Sequence, residues 1–395
     1  MIIKKQLPQD IFYLDNASTT IPYDCNIPDN IWFNASASYD GGVEVKNILN
    51  KCKEDILKIF NTYKGDVLFT SGATESNNIV IQSMERNIHE WALESEISEK
   101  TFNIVVSPTE HPSVLNVYKN IEKKGNINIR YLPIDNNGIV ILEKLKDVID
   151  ENTMLVSCMY VNNETGVIQP IHKIGEICNK NSAFFHVDAT QAVGKIKINC
   201  EEDYIDFLTF SAHKFHGPKG VGVVVCNWYH LGELFPLFYG GHQQDSKRSG
   251  TENVKDIYIM TELLKYFCSQ EEINKSQEVS IFINKLIKSL LEYYFKPNEF
   301  IINSKDNIIP ICNISFKNIT GEYLVQELNQ EKIYVSSGSA CTTGRFENSH
   351  VLESMNVDKD FIEGTIRISF DIYDDNLTMN NIENIIKKIN KIIYK

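Results

Sequence analysis

The sequence has no long apolar run and little positive charge. No stretch approaches the ~20 consecutive apolar residues that span a membrane, and Met1–Lys5 leads into polar residues without the apolar core of a secretion signal. Lys and Arg number 39 against 52 Asp and Glu, a formal net charge of −13. This balance argues against nucleic acid or an anionic membrane as a main partner. We therefore expect a cytoplasmic protein.

The cysteines lack the spacing of a disulfide framework or a zinc site. There are nine, an odd number, and no two of them form a C-x-x-C pair. Scattered cysteines of this kind are typical of reduced thiols, most of them small core residues. We expect no metal site.

Length and pattern predict an α/β fold in two domains. A chain of 395 residues exceeds the usual size of a single hydrophobic core. Apolar, β-branched runs alternate with helical periodicity, which favours a mainly parallel sheet covered by helices on both faces. Strands are predicted at Phe102–Val106, Ile127–Leu132 and Met154–Tyr160, with helices at Val45–Phe60, Pro112–Lys124 and from Leu142.

Polar clusters follow several of these strands. They are Thr109–His111, Asn162–Gly166 and Asp188–Gln191. In parallel sheets, ligands gather at the carboxyl ends of the strands. Each cluster taken alone is equally typical of a helix cap or a turn.

A lysine lies in a tight loop between two apolar runs. Ser211–Gly220 contains Lys214 and follows Phe207–Phe210, and another apolar run, Val221–Cys226, comes next. Burial lowers the pKa of an amine and makes it a usable nucleophile towards an aldehyde. On this loop alone, a surface lysine is as good an interpretation.

A small-residue loop precedes a predicted helix near Glu75. The strand Val67–Thr70 runs into Ser71–Thr74, which leaves free backbone N–H groups and the positive end of the helix dipole for an anion such as phosphate. An ordinary helix capped by Thr74 is the alternative. The occurrence of several such groups in one chain favours the phosphate site over the capped helix. The Ser71–Thr74 loop, His111, Asp188 and Lys214 are together the groups that pyridoxal phosphate requires.

Eight motifs spread over nearly the whole chain carry a family resemblance. They are Tyr13-Leu14-Asp15-Asn16, Phe69-Thr70-Ser71-Gly72-Ala73-Thr74-Glu75-Ser76, Thr109-Glu110-His111, Val161-Asn162-Asn163-Glu164, His186-Val187-Asp188-Ala189-Thr190-Gln191, Ser211-Ala212-His213-Lys214, Arg248-Ser249-Gly250-Thr251-Glu252-Asn253 and Ser336-Ser337-Gly338-Ser339-Ala340-Cys341. With them the chain resembles cysteine desulfurases of the Nif/Isc type, members of the aminotransferase class V family. The resemblance implies an aspartate-aminotransferase-like (fold type I) enzyme that depends on pyridoxal phosphate.

The resemblance also implies roles at the cofactor. Lys214 holds it as a Schiff base and returns a proton to the substrate, and Asp188 pairs with the pyridinium nitrogen. Gln191 and Asn163 hydrogen-bond the phenolic oxygen, while His111 stacks on the ring and moves protons. The phosphate is held by Ala73, Thr74, Ser211 and His213, and Thr251 reaches the phosphate of a neighbouring subunit in a homodimer.

The C-terminal part is expected to form the second domain. Residues 15–260 are predicted as the large cofactor-binding domain, and residues 1–14 with 261–395 as a smaller α+β domain. Strands of the smaller domain are expected at Cys312–Phe316, Ile333–Ser336 and Thr365–Phe370. Cys341 lies among glycines and small residues, and by the resemblance it takes sulfur from L-cysteine as a persulfide and hands it to an acceptor protein. Arg367 resembles the family arginine that, with Asn163, binds the substrate carboxylate.

Two departures and two alternatives accompany this interpretation. Asn34–Tyr39 replaces the usual Asn-Pro-Ser-Ser and histidine after a shortened first helix, and His242 stands at a usual glycine position. Another pyridoxal phosphate enzyme of this fold, such as a selenocysteine lyase, and a non-catalytic interaction platform are the alternative functions. The acceptor, which serves iron–sulfur cluster assembly, tRNA thiolation or a related pathway, is not identified by the sequence.

Overall fold

A computed structural model describes residues 2–62, 64–227, 230–304, 308–338 and 348–395. The strands are β1 Ile2–Ile3, β2 Phe12–Tyr13, β3 Asp24–Cys25, β4 Asp66–Thr70, β5 Asn103–Val106, β6 Asn128–Tyr131, β7 Thr153–Ser157, β8 Phe184–Asp188, β9 Phe207–Ser211, β10 Gly222–Cys226, β11 Phe300–Ile302, β12 Ile311–Phe316, β13 Ile333–Tyr334, β14 Ser336–Ser337 and β15 Thr365–Ser369. The helices are α1 Asp40–Ile59, α2 Ala73–Glu94, α3 Pro112–Lys124, α4 Ile171–Lys180, α5 Val254–Phe267, α6 Gln270–Tyr294, α7 Gly321–Gln330, α8 His350–Ser354, α9 Lys359–Ile362 and α10 Met379–Ile393.

A seven-stranded sheet forms the centre of the larger part. Its order is β4-β10-β9-β8-β7-β5-β6, and every pair is parallel except the two made by β10. Because β10 runs against both of its neighbours, β4 points the same way as β9. The carboxyl ends of β4, β5, β7, β8 and β9 therefore lie along one edge. The predicted α/β fold with a mainly parallel sheet is confirmed.

The C-terminal part contains a smaller antiparallel sheet. Its order is β11-β12-β15-β14, with α7 and α10 packed near it. Its apolar core includes Leu14, since β2 pairs with β13 and brings the N-terminal segment across. We propose the division that the sequence suggests, residues 15–260 against residues 1–14 with 261–395. Helix α5 spans the boundary at residue 260 and packs in the larger core.

Two local predictions differ from the structure. The helix expected from Leu142 is a 3-10 helix of six residues, Leu142–Asp147, which ends at Val148. Such helices stay short, because their hydrogen bonds have poorer geometry than those of an α-helix. The single strand expected at Ile333–Ser336 is two short strands with different partners. β13 pairs with β2, whereas β14 pairs with β15.

None of the helices in the described part of the chain combines the length and apolar character that a membrane crossing needs.

A left-handed stretch of backbone covers the edge of the large sheet. His242, Gln244, Asp245 and Ser246 have φ of +64°, +48°, +56° and +63°, a conformation that costs a residue with a side chain roughly 1–2 kcal/mol. The side chain of Gln244 compensates by pairing with the backbone of Phe69 on edge strand β4. It accepts from the N–H at 2.7 Å and donates to the carbonyl at 2.9 Å. Glycine adopts such φ angles without this cost, which explains why glycine is the usual residue at the position of His242 in the family that the sequence resembles.

Gly222 gives a test of the packing between β10 and the loop after β4. A Cβ built there approaches within 2.5 Å of the Gly72 backbone. Gly222→Ala is therefore expected to lower the free energy of unfolding by about 1–3 kcal/mol, as overpacking does elsewhere. Denaturant unfolding measures the change. The matched control is Gly232→Ala, where the added methyl meets nothing within 4 Å. Equal stabilities for the two variants would contradict this account.

Candidate functional site

The carboxyl edge of the large sheet brings the predicted residues together. His111 follows β5, Asn163 follows β7, and Asp188 and Ser211 are the last residues of β8 and β9. Lys214 follows three residues after Ser211, in a short turn before β10. Parallel strands place these segments side by side, although more than a hundred residues separate the first from the last.

The amine of Lys214 lies against the N-terminal segment. It donates hydrogen bonds to the carbonyls of Ala17 at 2.7 Å and Ser18 at 2.6 Å. Burial, followed by the charges of Arg367 and Lys195, lowers the pKa of Lys214 to about 7. The neutral amine, which is the nucleophilic form, is therefore much more populated near neutral pH than in an ordinary lysine.

The carboxylate of Asp188 is buried and held by two donors. Its side chain is 5% exposed. Asn77 donates to Oδ2 at 2.8 Å, and the backbone N–H of Thr190 donates to Oδ1 at 2.9 Å. A carboxylate accepts only, so the amide nitrogen of Asn77 must face it and the amide oxygen must face away.

A directional hydrogen-bond chain continues behind Asn77. Its amide oxygen accepts from Thr209 Oγ1 at 2.5 Å, so Thr209 has no second proton and must accept from His186 Nε2 at 3.1 Å. The other ring nitrogen of His186 then accepts from Ser157 Oγ at 2.9 Å. Burial lowers the pKa of His186 to about 4, in agreement with a neutral ring. Every donor in this chain points towards Asp188.

Asn77 also sets the state of His111. Its second N–H donates to Ser113 Oγ at 2.9 Å. Nδ1 of His111 accepts from the Ser113 backbone N–H at 3.1 Å and lies 2.9 Å from Ser113 Oγ. An accepting Nδ1 leaves the proton of the neutral ring on Nε2. Burial and the nearby Lys214 lower the pKa of His111, while Asp188 opposes them.

The start of α2 presents an uncapped helix terminus. In the part of the chain that the structure describes, no side chain caps it, so the amides of Ala73 and Thr74 are available to an anion. Glu75 also lines the cavity, and its carboxylate accepts from the Ser71 N–H at 2.7 Å and pairs with Arg248 at 2.9 Å. The arginine offsets the charge of this first-turn carboxylate, and the amides of Ala73 and Thr74 remain as donors for an anion.

Arg367 reaches the same place from the smaller sheet. It lies on β15, is 8% exposed, and donates to the Asn163 carbonyl at 2.8 Å. Its NH2 group donates to Asp15 at 2.8 Å, Ser18 at 2.8 Å and Ser336 at 3.0 Å. Within the described residues its buried Nε has no partner, so the guanidinium retains a donor for a further anion.

One cavity of about 690 Å³ joins these groups. Of the predicted residues, it is lined by Ala73, Thr74, His111, Asn163, Asp188, Gln191, Ser211, His213, Lys214 and Arg367. The side-chain N–H of Gln191 donates a hydrogen bond to the Ala17 carbonyl at 2.8 Å. Thr251 does not line this cavity, and Cys341 lies outside the described residues. Their roles stay predictions.

Sequence reasoning missed four residues that organise the site. Asn77 links Asp188 to His111, and Asp15, Ser18 and Ser336 surround the Arg367 guanidinium. Asn77 follows Thr74 by one helical turn, a spacing that turns both residues towards the same side. Asp15 stood in a motif, but nothing in its neighbourhood along the chain pointed to an arginine on a distant strand.

The cavity fits pyridoxal phosphate in size and in donor set. It offers free helix amides for a phosphate, an obligate carboxylate acceptor for a pyridinium N–H, and an amine with lowered pKa for an aldehyde. A buried hydroxyl, Thr190 Oγ1, also has no partner among the described residues. The residues present therefore fit this cofactor.

Comparisons with known proteins agree with this chemistry. The family model described as aminotransferase class-V matches residues 12–384. "Cysteine desulfurase IscS" of Dictyoglomus turgidum is 35% identical over 96% of this chain and 95% of that protein. Among solved structures, a "NifS-like protein" superposes with a TM-score of 0.83 at 31% identity over 97% and 99% of the two chains. "SspA in complex with cysteine" superposes with 0.75 at 27% identity over 92% and 99%. The chain belongs to the aminotransferase class-V family.

Proposed function

We propose that this protein is a cysteine desulfurase that converts L-cysteine to L-alanine and keeps the sulfur as a persulfide on Cys341. The observation that carries the proposal is one cavity in which a nucleophilic lysine, a buried carboxylate and a buried arginine converge. Bound pyridoxal phosphate supplies an electron sink that labilises the bonds around the substrate Cα. Lys214, Asp188, His111 and the amides of Ala73 and Thr74 would hold it.

Arg367 binds the substrate carboxylate. Its guanidinium lines the cavity, its Nε has no partner among the described residues, and its low exposure strengthens a contact with a carboxylate. Asp15 neutralises part of the guanidinium charge before substrate arrives. Asn163 fixes the arginine through its backbone carbonyl, so the two residues act on the carboxylate together.

Lys214 carries the proton between the substrate carbons. Its pKa of about 7 lets the amine take a proton from Cα and give it back near neutral pH. Its Ala17 and Ser18 partners are neutral carbonyls, which orient the amine without holding it in the charged form as a carboxylate would. His111 presents an Nε2 proton to the same cavity.

Cys341 accepts the sulfur in a step that needs no further oxidant. Its thiolate attacks the substrate sulfur, an S–S bond forms and the C–S bond breaks, and the electron pair stays on Cβ, which takes a proton. L-cysteine and an enzyme thiol thus become L-alanine and an enzyme persulfide. An acceptor protein then takes the outer sulfur, for iron–sulfur clusters, thiolated tRNA or a related product. Thr251 would serve the neighbouring subunit of a homodimer.

Lys214→Ala is expected to remove the absorbance of the lysine-bound cofactor and abolish alanine formation. Lys214 is the residue whose amine lies at the Ala17 and Ser18 carbonyls, so its removal leaves the cofactor without its anchor. Absorbance spectra and borohydride trapping measure the anchor. Lys219→Ala is the control, since Lys219 lines the same cavity. Unchanged trapping in Lys214→Ala would assign the anchor to another lysine.

Arg367→Ala is expected to lower kcat/KM for L-cysteine about ten- to a hundredfold, the effect of losing a charge-assisted contact of about 1.5–3 kcal/mol. Cofactor content stays unchanged, because Arg367 does not hold the cofactor. Cysteamine, which lacks the carboxylate, supplies the control and should react equally slowly with both proteins. A normal kcat/KM for cysteine would remove Arg367 from the substrate site.

Cys341→Ala is expected to keep cofactor binding and the spectral response to L-cysteine, while production of alanine and sulfide stops. The variant lacks the nucleophile that removes sulfur. Activity on L-selenocysteine should remain measurable, because selenium leaves carbon more readily. Product assays with both substrates test this. Sulfide release from cysteine at the wild-type rate would replace the persulfide mechanism with that of a lyase.

A further inference from the structure

A second cavity lies behind the cofactor cavity. Its volume is about 50 Å³, enough for a few water molecules. The two cavities share Ala17, Gln191 and Lys214 in their walls. Lys214 thus borders a second chamber, which is lined mostly by apolar atoms and also by Lys195, His216 and Asp371.

Lys195 reaches Lys214 from this chamber. Its ammonium donates to the backbone carbonyl of Lys214 at 3.3 Å. Lys195 follows Gln191 by four residues, and its own carbonyl accepts from Gln277 of α6 at 3.0 Å. The ammonium is therefore held between the strand end that bears Asp188 and the turn that bears Lys214.

Other ionisable groups face Lys195 in the chamber. Asp371 lies 3.6 Å from His216 Nε2 and accepts from Tyr23 OH at 3.4 Å. Burial lowers the pKa of Lys195 to about 8, while Cys268 and Asp371 raise it. Below about pH 8, Lys195 is mostly charged, and no carboxylate is bonded to its ammonium among the described residues.

We propose that Lys195 is a positioning residue for Lys214, which it holds by the backbone carbonyl while keeping a positive charge behind the catalytic amine. The proposal rests on the function proposed above and deepens it. A positive charge there disfavours protonation of the nitrogen that Lys214 contributes to the site. Three other charged groups act on the same nitrogen. Arg367 adds to the effect of Lys195, Asp15 and Asp188 oppose it, and neutral His111 contributes no charge.

Neutralising Lys195 is expected to raise the pH midpoint at which the bound cofactor changes its absorbance. In Lys195→Met and Lys195→Gln the midpoint should rise by about one unit, the size of a near charge effect. Lys195→Arg keeps the charge and should stay near wild type. Lys197→Met is the matched control, since Lys197 is exposed two residues along the chain. Absorbance titration of the holoenzyme measures all four variants.

The outcomes separate charge from packing. A midpoint in Lys195→Gln equal to that of Lys197→Met overturns the proposal, and so does an equal rise in Lys195→Arg. Lys195→Gln keeps a donor for the Lys214 carbonyl, so the test survives if Lys195→Met fails to fold. The titration reports on the bound cofactor without turnover. If the wild-type protein has desulfurase activity and the midpoint does not move in Lys195→Gln, the role of Lys195 is refuted and the proposed function stands. If the wild-type protein has no desulfurase activity and the midpoint moves in Lys195→Gln, the proposed function is refuted and the role of Lys195 stands.

Discussion

Asp188 is an anion in the interior of the protein, and burying an uncompensated carboxylate costs several kcal/mol. The protein meets this cost with donors instead of a cation, through Asn77 and the Thr190 amide. A lysine or arginine bonded there would neutralise the carboxylate permanently. Donors alone leave its charge available for a cationic ring nitrogen. The arrangement of the sheet edge follows from this constraint.

The donors are themselves fixed by the core. Asn77 turns its amide one way because Thr209 and His186 occupy the other, and it then passes orientation on to His111 through Ser113. One buried asparagine thus holds the Asp188 carboxylate and, through Ser113, the tautomer of His111. Since every N–H and O–H group in this chain already has a partner, removal of one member leaves its neighbours unsatisfied in a region of low dielectric.

Short sequence patterns predicted which residues lie at the carboxyl edge of the large sheet, but they could not predict contacts between segments that are far apart in the chain. Lys214, Asp188 and the Ser71–Thr74 loop were found because each follows an apolar strand, and strand ends of a parallel sheet meet. Asp15 and Arg367 are 352 residues apart, and they pair because β2 joins β13 in a separate two-stranded sheet and brings Asp15 alongside β15, where it bridges to Ser369. No periodicity in either segment encodes that pairing. The division of the predicted strand into β13 and β14 at Val335 also depends on distant contacts, because the two halves pair with different strands while the apolar pattern along the chain is continuous.

The cysteines of the described residues share one property with a chemical consequence. All eight are free thiols, seven of them buried, and burial raises the pKa of each, to about 11 for Cys52 and about 12 for Cys312. At a pKa of 11, only about one thiol in ten thousand is ionised at pH 7, and the thiolate is the reactive form. The interior thiols are thus poor sinks for sulfur. In a protein that carries persulfide sulfur, unreactive interior cysteines give chemical selectivity, because the sulfur atom is not transferred to them before it reaches the acceptor.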